Sequence, residues 1–178
     1  MMNKLLKNKG FTIVETLVAI AILMIAIAGP LTIAQKGLMA SVYARDQSVA
    51  TFLAQDAMEY LKNTRDNTPS SAATWLDNIN ESGSICTSSS NLCSIDTLND
   101  GSAPAPCSIS PTNTCILNHD ETTSGYGPGG NGSQFSRGFY VTEIQPDVEA
   151  KVVVIVWWTN GTIQNAVTLE NYFFNVQL

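Results

Sequence analysis

The sequence is short of the residues that most enzymes and nucleic-acid-binding domains need. Its 178 residues include one histidine, His119, and nine lysines and arginines against fifteen aspartates and glutamates, a formal net charge of −6. General nucleic-acid binding requires a basic face, which this composition does not provide. No pattern places a nucleophile beside a histidine base. The sequence therefore predicts a chain that is not an enzyme and needs no cofactor.

Metal-ligand spacings are missing too. The four cysteines are Cys86, Cys93, Cys107 and Cys115, and no two of them form a Cys-x-x-Cys pair. A zinc site is therefore the less favoured alternative to disulfide bonds, and we expect no metal. Four cysteines allow three pairings. The pairing Cys86–Cys93 with Cys107–Cys115 is favoured because each bond then closes a short local loop.

One long hydrophobic run dominates the N-terminal part of the chain. Residues 11–34 read FTIVETLVAIAILMIAIAGPLTIA and contain a single charged side chain, Glu15. About 20 apolar residues are enough to span a bilayer. Lys4, Lys7 and Lys9 precede the run, and lysines before a span mark its cytoplasmic side. The pattern predicts a single pass through the cytoplasmic membrane, with the C-terminus outside the cytoplasm.

The junction between the lysines and the run has a recognisable motif. Residues 9–15, KGFTIVE, resemble the class III signal of type IV prepilins and type II secretion pseudopilins. The resemblance implies that residues 1–10 are a leader and that the prepilin peptidase cleaves between Gly10 and Phe11. It also implies that the same enzyme N-methylates Phe11 and that Glu15 becomes the fifth residue of the mature chain.

The position of Glu15 agrees with this resemblance on physical grounds. An ionisable group in a membrane span costs about 2.5–3.5 kcal/mol on insertion scales and usually has a partner. In a filament, the new amine at Phe11 of a neighbouring subunit would pair with Glu15 and set the axial register. The alternative is that Glu15 lies near the cytoplasmic interface and reaches water.

The remainder predicts an α+β, type IV pilin-like fold. Residues 35–66 are amphipathic and continue the helix, because no loop signal separates them from the membrane half at 11–34. Residues 67–136 are rich in Ser, Thr, Asn, Gly and Pro, and we expect a variable loop region with disulfides and a short helix near Trp75. Residues 137–178 predict a small antiparallel sheet on which the long helix packs.

A hairpin is the clearest feature of the C-terminal part. Asn160-Gly161 predicts a two-residue type I′ turn, which sets Trp158 opposite Ile163 and Lys151 opposite Glu170. One face is then apolar and should pack on the helix; its members on the first strand are Val152, Val154, Val156 and Trp158.

The other face of the hairpin, with Trp157, is mixed. We expect residues 67–136 to cover it; a contact surface is the alternative. A Val-rich strand ending in Trp, followed by a return strand with Val167 and Leu169, also loosely resembles the C-terminal hairpin of minor pilins and minor pseudopilins.

These resemblances imply a structural subunit of the minor kind, in a type IV pilus or a type II secretion pseudopilus, polymerised through its N-terminal helix. The implied partners are other pilin or pseudopilin subunits, the prepilin peptidase, the inner-membrane assembly platform and, before assembly, membrane lipid. The chain would move from the inner membrane into a periplasmic or extracellular filament. The net charge does not exclude a local site for DNA or a surface ligand at a filament tip, but no sequence feature supports either.

Two functions from other classes stay open. One is a membrane-anchored adhesin or binding domain that does not polymerise. The other, which is less favoured, is an anchored enzyme.

Overall fold

A computed structural model of the chain describes residues 10–69, 72, 74–80, 86–99, 102–109, 114–120, 125–127 and 131–175. The leader lysines lie outside these ranges. The chain divides into two compact units, Met1–Ala44 and Arg45–Leu178, which are described separately. The elements are helices α1 (Ile13–Asp66) and α2 (Asp77–Asn80), and strands β1 (Leu92–Ser94), β2 (Ala105–Cys107), β3 (Ile116–Asp120), β4 (Gly125–Gly127), β5 (Asn131–Gln145), β6 (Glu149–Asn160) and β7 (Ile163–Phe174).

The described part of the first unit is the N-terminal portion of α1 and the three residues before it. Every described residue of this unit is exposed. The helix continues through Pro30, although proline lacks the N–H that would bond back to the preceding turn. By length and composition, an 18-residue window of α1 could cross a membrane, and none of that window is buried.

In the second unit, the C-terminal portion of α1 packs on the sheet. Its buried apolar residues recur at helical spacing and include three alanines, which let the helix backbone lie close to the strands; they are Ala50, Leu53, Ala54, Ala57, Met58 and Leu61. Other large apolar side chains of this portion are less buried. Phe52 is 70% exposed, and Val49 and Tyr60 are half-buried.

The sheet is antiparallel and branched. Strand β6 pairs with β5 on one side and with β7 on the other. The second side of β5 pairs with β3 near Ser136 and with β1 at Phe139, and β4 and β2 extend these two short strands outward. Together with the packed helix, this arrangement confirms the predicted α+β fold, a long N-terminal helix on a C-terminal antiparallel sheet.

The predicted register of the last hairpin is wrong by two residues. Asn160 pairs with Ile163 and Trp158 with Asn165, so Gly161 and Thr162 form the turn. Gly161 has a φ of 63° and stands first in the turn, the position that a type II′ turn reserves for glycine. Because the shift is an even number of residues, the faces do not change, and the predicted apolar face is buried against α1.

Part of the region expected to be loop is strand. Residues 67–136 contain β1 to β4 and the start of β5, which begins at Asn131. The short helix expected near Trp75 is α2, at Asp77–Asn80. The glycine-rich segment 125–132 is strand in part, since β4 occupies Gly125–Gly127 and β5 begins at Asn131; residues 128–130 lie outside the described ranges. Strand β7 continues as far as Phe174, and residues 176–178 are not described.

Two disulfide bonds hold the short strands along β5. Cys86 is bonded to Cys93, and Cys107 to Cys115, which is the pairing that the sequence favours. The backbone carbonyl of Cys86 accepts a hydrogen bond from Val141 N–H at 2.7 Å, and that of Cys115 accepts one from Arg137 N–H at 2.8 Å. Each disulfide therefore has one half on the edge of β5.

A buried arginine joins the helix to the segment after β1. Arg137 lies in β5 on the face toward α1, and its guanidinium donates to the carbonyl oxygens of Leu53 (3.1 Å) and Ile95 (3.2 Å). It also donates to Asp56 Oδ2 at 3.0 Å and to Thr97 Oγ1 at 3.2 Å. Burial lowers the pKa of Arg137, and the hydrogen bond and charge of Asp56 act against that shift.

The outer face of the sheet is covered in part by its own side chains. A Cβ atom placed on Gly138 would lie 3.4 Å from ring atoms of Trp157 and from Cβ of Leu92. The Trp157 ring thus lies across Gly138 and next to Leu92, and Trp157 is half-buried. Cover from residues 67–136 was expected here, and β1 supplies some of it.

Candidate processing and assembly site

The bond between Gly10 and Phe11 lies before the first helical turn. Helix α1 starts at Ile13, and both Gly10 and Phe11 are exposed. A Cβ atom on Gly10 would meet no heavy atom within 4 Å, and the glycine has no left-handed φ. Neither space nor backbone conformation requires a glycine at position 10. A requirement for Gly10 would therefore come from an enzyme that binds this segment, and not from the fold.

Thr12 caps the helix that begins after it. Its side-chain Oγ1 accepts a hydrogen bond from the backbone N–H of Glu15 at 3.3 Å. Threonine at the N-cap with glutamate three residues later is the capping-box pattern, which satisfies N–H groups that lack partners in the first turn. A carboxylate in this turn also interacts favourably with the helix dipole. The cap fixes where α1 starts, one turn or less from the predicted cut.

The carboxylate of Glu15 is exposed and has no cationic partner within the described residues. The residues before and after Glu15 in the sequence are mostly apolar, and Phe11 and Ile13 are the first of them. In water an exposed carboxylate needs no partner, but within hydrocarbon it is costly to leave unpaired. The geometry thus leaves Glu15 available to a cation that another molecule supplies.

The apolar side chains of the same unit are exposed along their whole length. The large ones range from 42% exposed at Tyr43 to 80% at Ile13. Soluble monomers rarely expose so much contiguous apolar surface, and such surfaces mark contact with a membrane or another protein. The arrangement is therefore a short, unshielded peptide segment, a capped helix start with one carboxylate, and a long apolar helix surface.

Comparison with known families decides what this arrangement is. Residues 5–29 match the prokaryotic N-terminal methylation motif. The chain carries the class III signal of type IV pilins and pseudopilins. The match includes the predicted cleavage point, Glu15 and the first four turns of α1. Comparison with curated proteins and with solved structures returned no match.

The class III signal gives the other observations a context. It belongs to precursors that are anchored in the membrane by an apolar helix and processed by prepilin peptidase, and the family is a structural one, generally without enzymatic activity. The long helix on an antiparallel sheet and the two disulfides agree with a pilin-like fold. Within the described part of the chain, no three His, Cys, Asp or Glu side chains are grouped to hold a metal, and His119 packs edge-on against Tyr126.

Sequence reasoning did not single out two of the residues that organise the two units. Thr12 precedes Glu15 by three positions, and this spacing alone is a capping-box signal. Arg137 has a weaker signal, a lone cation on the apolar face of a predicted strand. Its four acceptors come from parts of the chain between 40 and 84 residues away, so no local pattern could name them.

Proposed function

We propose that the chain is a subunit of a type IV pilus or of a type II secretion pseudopilus. Prepilin peptidase cuts between Gly10 and Phe11 and N-methylates Phe11, and the mature chain polymerises through its N-terminal helix. The observation that carries this proposal is the methylation motif at residues 5–29, followed by a helix whose side chains before Asp46 are all exposed.

Membrane physics explains why Glu15 would set the register. Before assembly, lipid covers the apolar part of α1, and the sheet domain lies outside the cytoplasm, where disulfides persist. Moving a helix from lipid into a bundle of similar helices brings little hydrophobic gain, so packing and polar contacts decide how helices associate. A charge pair between Glu15 and the amine of Phe11 in a neighbour is then the one strong directional contact available to the exposed helix start.

The C-terminal hairpin supports the finer proposal of a minor subunit. Its Val-rich strand β6 has two tryptophans near its end, and the return strand places Val167 opposite Val156 and Leu169 opposite Val154. This pattern resembles the hairpin of minor pilins and minor pseudopilins. A minor subunit would act in priming or at the filament tip, together with other subunits and the inner-membrane assembly platform.

The test is incorporation of the Glu15→Ala chain into filaments in its own host. The variant should insert into the membrane and be processed, but its amount in sheared filaments should fall at least about tenfold, because the Phe11 amine of the neighbouring subunit then has no carboxylate to pair with in apolar surroundings. Thr16→Ala is the matched control, since the Thr16 hydroxyl donates to the Ile13 carbonyl within its own helix. Incorporation of Glu15→Ala at the control level would overturn the register role. A wild-type chain that stays in the membrane fraction would indicate an anchored domain that does not polymerise.

A further inference from the structure

Strand β7 forms a long open edge of the sheet. It pairs with β6 over all twelve of its residues, from Ile163 to Phe174, with no register shift. No strand of the described part pairs with its other side. The strands at the far side of the sheet, β2 and β4, have three residues each. Among the described strands, β7 is thus the one that offers a partner a long template.

The edge also lacks the features that normally protect such strands. Proteins block long edges with proline, lysine, bulges or inward-pointing charges. Strand β2 carries Pro106, whereas β7 has no proline, lysine or bulge. The single charge of β7 is Glu170, which is paired with Lys151 Nζ at 2.8 Å. Nothing in β7 therefore discourages the addition of another strand.

The position of the β6–β7 turn determines which backbone groups of β7 point away from β6. Asn160 and Ile163 close a two-residue hairpin loop, and the pair that closes such a loop is hydrogen-bonded. Bonding alternates along the strand, so Gln164, Ala166, Thr168 and Glu170 direct their N–H and C=O groups away from β6. The next residue in this series, Tyr172, donates its N–H to Asn171 Oδ1 at 2.8 Å, which agrees with an outward direction and ends the template there.

We propose that β7 is a strand-addition site that binds an extended, basic and partly apolar segment of a different subunit of the same filament system. The inference rests on the proposed filament function, because only that function brings several related chains together. Backbone hydrogen bonds to residues 164–170 would supply the part of the affinity that does not depend on the side chains of the added strand. Tyr172 at the end of the template and Phe174 just beyond it are both about half exposed on the outer face, and they would select apolar residues at that end of the added strand.

Charge at one end of β7 indicates the basic character of the segment. Glu149 lies opposite Phe174, and the backbone carbonyl of Asp147 accepts a hydrogen bond from Asn175. Neither carboxylate has an ion-pair partner in the described part of the chain. A lysine or arginine that extends over the end of β7 would approach these two carboxylates, which belong to β6 and to the turn before it. The cations at this end are already paired, Lys151 with Glu170 and Arg65 with Asp66.

A second copy of this chain fits the edge poorly. Antiparallel pairing of two β7 strands, the more stable arrangement, relates the copies by a two-fold axis perpendicular to the sheet. This axis reverses the α1 portion that lies on each sheet, so the two chains would enter at Arg45 from opposite directions. Subunits that polymerise in one filament share one direction, so their α1 portions cannot run in opposite directions. The occupant is therefore a segment of another protein.

Site-specific photo-cross-linking of the full chain in its own host tests this proposal. A benzophenone amino acid replaces Ala166, which is exposed and next to the position of the added strand. Light should join the chain to a different pilin-type subunit, and mass spectrometry should map the joined peptide to a segment with a lysine or arginine. Products that join two copies of this chain, or no product from assembled filaments, would overturn the proposal.

Two sets of variants are made in the chain that carries the benzophenone amino acid. They show whether backbone pairing is responsible for the cross-link. Thr168→Pro removes one outward N–H, which edge strands tolerate, and should lower the yield at least about tenfold, whereas Thr168→Val keeps the N–H and should retain it. The double variant Asp147→Asn and Glu149→Gln keeps every backbone group and should lower the yield several-fold. An unchanged cross-link yield with Thr168→Pro would contradict strand addition as proposed. If Thr168→Pro does not fold, an unchanged yield with the double variant would contradict it.

The same samples separate failure of this inference from failure of the proposed function. Filaments that contain the chain with a methylated Phe11 but give no cross-link would refute strand addition alone. A chain that is absent from filaments would refute the proposed function and, with it, the partner assigned to β7.

Discussion

Among single residues, Arg137 has the largest structural role in the second unit. Its guanidinium is 2% exposed and joins β5 to α1 and to the segment that follows β1. Asp56, which pairs with it, is 52% exposed, so water solvates the Asp56 carboxylate but does not reach the Arg137 guanidinium. This asymmetry predicts unequal costs when either side of the pair is removed.

Arg137→Ala should lower the free energy of unfolding by about 2–5 kcal/mol, because it empties the space of a buried side chain and removes a donor from the Ile95 carbonyl, whereas the Leu53 carbonyl keeps its bond within α1. Asp56→Asn should cost about 1 kcal/mol, because an asparagine oxygen still accepts from Arg137 and the charge of Asp96 still acts on the guanidinium. Urea unfolding of the purified chain, followed by tryptophan fluorescence, measures both. Lys62→Ala, an exposed change on the same helix, is the control and should stay within about 0.5 kcal/mol. Equal costs for Arg137→Ala and Asp56→Asn would contradict this view of the pair.

The residue scale also shows what the sequence reveals and what it does not. The motif KGFTIVE predicts a cleavage point and a role for Glu15, and the structure begins α1 within one turn of both. The contacts of Arg137 depend on the tertiary fold, and periodicity assigns it only to a strand. A local pattern therefore leads to specific predictions, whereas long-range polar contacts could not be predicted.

Among the elements, the β6–β7 hairpin shows how turn chemistry limits prediction. Both type I′ at Asn160-Gly161 and type II′ at Gly161-Thr162 accept Gly161 with a positive φ, and the structure adopts the second. The even shift keeps Lys151 and Glu170 on one face, so they remain paired, although as diagonal neighbours instead of direct ones. The alternation of side chains along the strands predicted which residues share a face of the hairpin. The register depended on a turn for which the sequence allowed two positions.

The Lys151–Glu170 pair gives a pH prediction. The hydrogen bond with Glu170 raises the pKa of Lys151, so the folded value lies above the unfolded value of about 10.4. The contribution to stability is thus complete below pH of about 10.4 and is lost as pH rises through the folded pKa. The difference in unfolding free energy between wild type and Lys151→Met should hold from pH 7 to 9 and shrink by pH 11. Lys62→Met is the control, and a Lys151→Met difference that stays constant to pH 11 would contradict the linkage.

The short strands were missed for a different physical reason. Strands β1, β2 and β4 have three residues each, and their segments contain proline, glycine and serine, which local propensity assigns to loops. Pairing with β5, directly or through one another, and the two disulfides hold them in place. Composition detects propensity but not such tertiary support, so the region appeared to be loop.

At the scale of the whole molecule, the two units differ in whether their apolar side chains are exposed or buried. Residues 10–45 expose every apolar side chain, whereas the second unit buries a continuous core between α1 and the sheet. A chain built in this way has an N-terminal unit that only lipid or other subunits can cover. The division between an exposed apolar helix and a folded sheet domain was predictable, because hydrophobic periodicity changes along α1.

Processing at the N-terminus links this architecture to function. Gly10→Leu should fold and insert like the wild type, since no atom lies near the glycine, but should keep the leader because the peptidase no longer accepts the segment. The comparison separates a defect in recognition by the enzyme from a defect in folding. It also supplies the reference for the measurement that tests the central claim.

That measurement is mass spectrometry of the N-terminal peptide from the chain produced in its own host. The proposed function predicts a peptide that begins at N-methylated Phe11 in the wild type, and one that retains residues 1–10 in Gly10→Leu. A wild-type chain that keeps Met1 to Gly10 would contradict the central claim and would indicate a static membrane anchor in place of a filament subunit.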